Sequence, residues 1–157
     1  INAIIGKRKI MKKTENTFIS STFWGERTGY VAALSSIKEF KRLHAFEKVK
    51  KNGKKIKDIW WKLSKKHNLP IKIMGTNAIP SFEFKKNHLI NKTYLTQKML
   101  DNKILATNFI YINIYHDKKN LKIYEKVLDQ IFYDVMNKNI RKILKTKICF
   151  KPIVRIN

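Results

Sequence analysis

The chain has 157 residues, of which 43% are hydrophobic and 11% aromatic, a composition that supports one folded domain and excludes intrinsic disorder. It contains no apolar run of the roughly 20 residues that a membrane-spanning helix needs, so no membrane association is expected and the cytoplasm is the expected compartment. A single cysteine, Cys149, excludes an internal disulfide and a cysteine metal cluster. Because the first residue is Ile1 rather than Met, we expect the chain to be a fragment.

The formal charge of +24 would attract nucleic acids and anionic surfaces whatever the fold. Of the 35 basic residues, 30 are Lys and only 5 are Arg, and Ile and Asn are abundant, as in proteins of AT-rich genomes. A dedicated nucleic-acid surface would use more Arg for paired contacts to phosphates and bases. We therefore interpret the charge as compositional, and nucleic acid is not expected as a partner. A basic nucleic-acid-binding module, with Trp60 and Trp61 as stacking residues, remains the alternative.

Hydrophobic spacing predicts two strands or strand-edge loops, then two helices, in the first half of the chain. Gly53 weakens the middle of the second helix, and Pro70 ends it. The predicted elements are strand-like pieces at 3–6 and 17–23, a helix from Gly25 or Thr28 to about Arg42, and a helix over about 44–67.

Alternating apolar residues predict an antiparallel strand pair in the second half, and Asp117 is a good cap for a closing helix. The remaining elements in chain order are strands at 71–73 and 81–84, a helix over 89–102, strands at 104–107 and 109–115, a helix over 117–139, and a basic tail at 140–157 that is expected to pack back as an extended strand. This order predicts an α/β fold, with a small sheet packed under helices.

The most distinctive segment runs from Asn16 to Ala33 and reads NTFISSTFWGERTGYVAA. Its hydroxyl pair, Ser21 and Thr22, ends a strand-like stretch before a glycine turn and a helix. Hydroxyl groups and free amides beside a helix amino terminus suit a phosphate dianion, since hydrogen bonds and the helix dipole both favour negative charge. The same arrangement is more often only a cap or a strand-edge feature.

The segments NAIIGKRKIM and TFISSTFWGERTGYVAALSSIKEF resemble the stretch after the Schiff-base lysine in class III pyridoxal-phosphate-dependent aminotransferases, especially the glutamate-semialdehyde aminomutase-like branch. The segments WWKLSKKHNLP, IKIMGTNAIPSFEF and KILATNFIYINIYH follow in that family's order, so that the resemblance covers most of the chain. It implies the carboxy-terminal part of a fold-type I enzyme. Residues 1–30 would end the large domain, 31–139 would form the small domain, and 140–157 a basic tail.

The resemblance also implies a cofactor, pyridoxal 5'-phosphate, at the interface of a homodimer. Thr22 matches a residue that contacts the phosphate of the cofactor held by the partner subunit, and Ser21 would assist it. The Schiff-base lysine and the acidic residue that pairs with the pyridine nitrogen are expected upstream of Ile1, so no catalytic residue is assigned here. The implied substrate is a small amino-acid or amino-sugar-like molecule, and the fragment alone is expected to be inactive.

Three further residues of this segment, Trp24, Glu26 and Arg27, are candidates for the substrate cleft, where Arg27 would bind a carboxylate. The alternatives are an intramolecular or interface salt bridge for Glu26 and Arg27, and interface packing for Trp24. No metal site is expected, because the four histidines lack ligand spacing with one another and with Cys149. A scaffold domain that has lost a catalytic half is a further alternative to an enzyme part.

Overall fold

The structure is a computed structural model that describes residues 4–18, 22–23 and 25–149. The chain forms two compact units, Ile1–His44 and Ala45–Asn157. The boundary between them lies after residue 44, whereas the domain boundary predicted from the resemblance lies at residue 30. Which unit belongs to which domain of a longer enzyme stays a prediction.

The first unit contains a short helix, α1 (Arg8–Met11), a 3-10 helix (Lys12–Asn16) and the longer helix α2 (Arg27–Arg42). The helical turns at 8–16 fall in the charged segment between the two predicted strand-like pieces. Neither piece is a strand where it is described: Ile4–Lys7 is irregular and Thr22 and Phe23 form part of a turn. Helix α2 agrees with its predicted bounds.

The second unit packs helices on one small antiparallel sheet. Helix α3 (Ala45–Lys66) leads to strands β1 (Ile71–Gly75) and β2 (Pro80–Phe84), which pair in register from Ile71 opposite Phe84 to Gly75 opposite Pro80. Helices α4 (His88–Asp101), α5 (Lys118–Asn137) and α6 (Ile140–Ile143) follow. The predicted α/β class, with a small sheet under helices, is confirmed.

The segment after α4 differs from its prediction. Residues 104–107 are irregular, so the strand predicted there is wrong, because only one short internal backbone bond, from Ala106 to Ile104, forms in that stretch. Residues 108–112 run beside β2, where Phe82 N–H donates to the Asn108 carbonyl, at 2.9 Å, and Ile110 N–H to the Pro80 carbonyl, at 3.1 Å. The Asn108 side chain also donates to the Phe82 carbonyl. The second predicted strand is thus a partial one, with a single bridge between Ser81 and Phe109.

The core of the second unit lies between the sheet and helices α3, α4 and α5. Alternate residues of β2 point into it, because successive side chains of a strand face opposite sides. Phe82 and Phe84 are buried there and make edge-to-face contacts with Phe132 of α5. Trp60 of α3 packs edge-on against Phe82, with 4.8 Å between the ring centroids. Trp60 is fully buried and Trp61 is 61% exposed.

A polar contact joins α3 to α5 within this core. The indole N–H of Trp60 donates to the hydroxyl of Tyr124 on α5, at 2.7 Å, and both groups are buried. Tyr124→Phe leaves the indole N–H without a partner, and we expect a loss of about 2 kcal/mol in the free energy of unfolding, measured by urea denaturation. Tyr133→Phe, on an exposed position of the same helix, is the control and should change stability little. Equal effects of the two substitutions would contradict the role of the Trp60 bond.

The extended strand predicted for the tail is wrong among its described residues: Ile140–Ile143 form α6, and residues 144–149 lie on α4 outside the sheet, because their backbone N–H groups bond to α4 side chains rather than to a neighbouring strand. Lys145 N–H donates to the Gln97 side chain, at 2.7 Å, and Cys149 N–H donates to the Thr93 hydroxyl, at 3.0 Å. These side-chain acceptors fix the tail along the helix. In the part of the chain that the structure describes, no helix is both long and apolar enough to span a bilayer.

Candidate functional site

The predicted phosphate site lies in the first unit, where a tight turn leads into α2. The Phe23 carbonyl accepts a hydrogen bond from Glu26 N–H, at 3.2 Å, and Thr22 and Gly25 belong to the same turn. Apart from Gly25 and its chain neighbours, no described residue lies within 4 Å of the position that a Cβ on Gly25 would occupy. The turn therefore carries Thr22, with an exposed side chain, to within a few residues of the helix start.

Among the described residues, no side chain caps the amino terminus of α2. Glu26 precedes the helix in an extended conformation and its carboxylate makes no capping bond, and the first turn contains no acidic residue. The first backbone N–H groups of a helix have no partner within the helix, and the helix dipole places partial positive charge there. An uncapped end beside an exposed hydroxyl has the hydrogen-bond donors and the field that an anion requires.

The structure brings three of the predicted site residues, Thr22, Glu26 and Arg27, into this one exposed stretch of chain. Neither Glu26 nor Arg27 forms an ion pair with another described residue, so the salt-bridge alternative finds no partner there. Ser21 and Trp24 lie outside the described residues, and their roles stay predictions.

Helix α2 has an apolar surface along its length, as its hydrophobic spacing predicts. No residue of α2 is buried. Four large apolar residues at helical spacing are half exposed or more: Val31, Leu34, Ile37 and Phe40. An exposed apolar surface of this kind is typical of a protein interface.

A second polar cluster lies in the Ala45–Asn157 unit and was not predicted. Asp129 of α5 accepts from Lys66, at 2.6 Å, and lies 2.6 Å from Nε2 of His67. Burial raises the pKa of Asp129, but hydrogen bonds from Lys66 and His67 outweigh it, and the net shift is downward. The cluster joins the end of α3 to α5. The signal for it in the sequence was the location of Lys66 and His67 at the carboxyl end of a helix, where cations are favoured.

A third cluster surrounds Asp134, which is only 3% exposed. Its carboxylate accepts from the Tyr94 hydroxyl, at 2.6 Å, from Gln130, at 3.0 Å, and from Lys138, at 2.8 Å. Every oxygen is thus paired, which marks the cluster as a structural link between α4 and α5. Among the described residues no group of three His, Cys, Asp or Glu side chains lies close enough to hold a metal ion.

Comparison with solved structures finds a similar fold. The chain is similar to a structure of the pyridoxal-phosphate internal aldimine form of the Sphingopyxis sp. MTA144 FumI protein, with a TM-score of 0.71 and 16% sequence identity. The match covers 89% of this chain and 36% of that chain, so this chain spans little more than a third of the length of FumI. No protein-family model matches the chain, and no curated protein matches it. At this level of identity the likeness shows a shared fold, which agrees with the fold that the sequence resemblance implies.

Proposed function

We propose that the chain is the carboxy-terminal portion of a pyridoxal-phosphate-dependent aminotransferase or aminomutase of the class III type, and that it contributes a phosphate contact and part of a homodimer interface. The observation that carries the proposal is the likeness of 89% of the chain to one part of a pyridoxal-phosphate protein. The sequence resemblance points independently to the same kind of enzyme. A soluble, cytoplasmic enzyme acting on a small amino-acid or amino-sugar-like substrate is part of this proposal.

The residues of the turn before α2 fit the phosphate of that cofactor. The exposed Thr22 hydroxyl can donate one hydrogen bond, and the uncapped amides at the start of α2 add a favourable field. When bound, the cofactor supplies an electron sink for amino-group transfer. The chain itself holds the phosphate and orients the substrate: Arg27 would pair with a substrate carboxylate, and Glu26 and Trp24 would line the same cleft. Ser21 would assist Thr22.

The apolar surface of α2 supports the interface part of the proposal. In a dimer it would be covered together with the turn, so that the phosphate contact is made across the interface to the cofactor of the partner subunit. Water would then be excluded from the contact, and charge-assisted hydrogen bonds strengthen where water is excluded.

The proposal is tested on the protein encoded by the complete reading frame. We expect that protein to show the absorbance of bound pyridoxal phosphate, and Thr22→Ala to weaken cofactor binding about tenfold, the effect of one lost hydrogen bond to a charged group. Thr22→Ser keeps the hydroxyl and should restore most of the affinity. Arg27→Gln should leave the cofactor affinity unchanged and raise KM for a carboxylate substrate.

Thr17→Ala is the matched control, because the Thr17 hydroxyl is exposed and donates to the Thr14 carbonyl, its one partner among the described residues. An absent cofactor band in the full-length protein would refute the enzyme assignment. A normal band that Thr22→Ala and Thr17→Ala leave equally strong would refute the phosphate role alone.

The alternative, a nucleic-acid-binding module, requires basic residues gathered on one surface. Exposed lysines instead occur in both units, including Lys12 of the 3-10 helix, Lys38 of α2, Lys54 of α3 and Lys122 of α5. This distribution supports a compositional origin of the charge. The contact of Lys65 with the exposed Trp61 ring, 5.9 Å from its centroid, is the feature that most resembles a stacking site.

A further inference from the structure

A groove of about 440 Å³ lies in the Ala45–Asn157 unit, between the segment after α4, the loop before α5 and the first half of α5. Its volume is within the range of small-molecule sites. Apolar side chains form most of its walls, including Leu105, Ile110 and Ile123, and the groove contains no residue of the turn before α2. It is therefore separate from the phosphate site proposed above.

The loop on one side of the groove is held in place by its own hydrogen bonds. The Asn113 side chain accepts from Tyr115 N–H, at 2.9 Å, and the Asn120 amide donates to the Tyr115 carbonyl, at 3.0 Å. Asp117 caps α5 by accepting from Asn120 N–H, at 2.8 Å. A loop fixed in this way can present a polar group in a defined direction without a large ordering cost on binding.

The polar group that the loop presents is the imidazole of His116. Nδ1 accepts a hydrogen bond from Asn113 N–H, at 3.0 Å, so in the neutral ring the proton is on Nε2. Burial lowers the pKa of His116 and outweighs the opposing effect of the Asn113 backbone, which favours the neutral form. Nε2–H makes no hydrogen bond to a described residue, and it is left as a donor for a ligand.

The formal charge of the groove lining is positive. Of the described residues that line it, Lys103 is the one with a formal charge, and none is a carboxylate. Lys103 forms no ion pair with a described residue, and its backbone is held in a left-handed conformation, φ 60°, in the turn after α4. A cation and a neutral N–H donor at the edge of an apolar groove are complementary to a carboxylate on an apolar body.

We propose that this groove binds a small monocarboxylate with an aromatic or branched aliphatic body. The carboxylate accepts from Nε2–H of His116 and pairs with Lys103, and the apolar body lies against Leu105, Ile110 and Ile123. Leu105 is 95% exposed, so that a bound apolar body would remove apolar surface from water.

The test uses the whole 157-residue chain, with benzoate as the probe and NMR titration as the measurement. Saturable shifts confined to the groove residues are expected. His116→Asn keeps an acceptor for Asn113 N–H but removes the Nε2–H donor, and Lys103→Asn removes the charge with a residue that tolerates positive φ. Each is expected to weaken benzoate binding about tenfold.

Two controls separate a site from general attraction of an anion to a basic protein. Lys118→Asn removes an exposed charge outside the groove lining and should leave benzoate binding unchanged. Benzamide, which has the same ring without the charge, should bind at least tenfold more weakly. An equal loss in Lys118→Asn, equal binding of benzamide, or shifts spread over the whole surface would each overturn the proposal.

Discussion

Gly53→Ala is expected to lower the free energy of unfolding by about 3 kcal/mol, the upper end of the cost of overpacking. A Cβ at this position would overlap the backbone oxygen of Asn77 and would lie 2.6 Å from its carbonyl carbon and 2.9 Å from its Cα. The obstacle is the backbone of the β1–β2 turn rather than a flexible side chain, so relief requires α3 and the sheet to separate.

Helix propensity and the close contact with Asn77 predict opposite signs for the change in stability. Glycine inside a helix costs about 1 kcal/mol relative to alanine, so helix propensity alone predicts that Gly53→Ala stabilises the protein. The measurement is the midpoint of urea denaturation, with Lys54→Ala at the neighbouring exposed position as the control. A higher midpoint for Gly53→Ala would show that α3 does not approach the turn this closely.

Asp134→Ala is expected to be comparably costly, at about 3 kcal/mol, because it leaves the buried Tyr94 hydroxyl without its acceptor. Asp134→Asn keeps an acceptor for Tyr94 and loses the ion pair with Lys138, so a smaller loss is expected. Asp129→Asn, at a more exposed carboxylate, is the comparison. If Asp134→Ala were no more harmful than Asp129→Asn, the buried cluster would not hold α4 to α5.

Asp134 also predicts how stability depends on pH. Burial raises its pKa, but hydrogen bonds from Lys138, Tyr94 and Gln130 outweigh burial and bring the pKa below its usual range. The folded state therefore binds this proton more weakly than the unfolded state. The contribution of Asp134 to the free energy of unfolding is therefore complete at neutral pH. It is lost as the pH falls from about 4, the usual carboxyl pKa, through the lower pKa of the folded state. Denaturation midpoints measured across this range should fall less steeply in Asp134→Asn.

Local patterns were enough to predict most elements of the second unit. Helix α3 was expected over about 44–67 and spans Ala45–Lys66, and the alternation of Ile71, Ile73 and Phe82 predicted the strand pair. Asp117 caps α5 as predicted, by accepting from Asn120 N–H. These features depend on residues close in sequence, so periodicity and capping rules suffice.

Features that depend on distant partners were not predicted. From the sequence, Gly53 was recognised only as a residue that weakens a helix. Glycine is needed there because the backbone of Asn77, in a separate turn, leaves no room for a Cβ. The prediction of a strand at 104–107 was wrong for a similar reason. Apolar residues favour a strand, but a strand forms only where a second strand pairs with it. In the site, the phosphate role of Thr22 stays a prediction, and the predicted roles of Ser21 and Trp24 concern residues outside the described ranges.

The partial strand at 108–112 leaves one edge of the sheet without a paired strand in the described part of the chain. The backbone groups of residues 108, 110 and 112 form hydrogen bonds with β2 and with Ala78 just before it. The N–H groups of Phe109 and Tyr111 have no acceptor among the described residues. Such an edge can add a strand from a second molecule. The charge of +24 keeps copies of the chain apart, and salt shortens the reach of that repulsion. Added salt should therefore favour self-association of this protein, and its solubility should be best where the ionic strength is low.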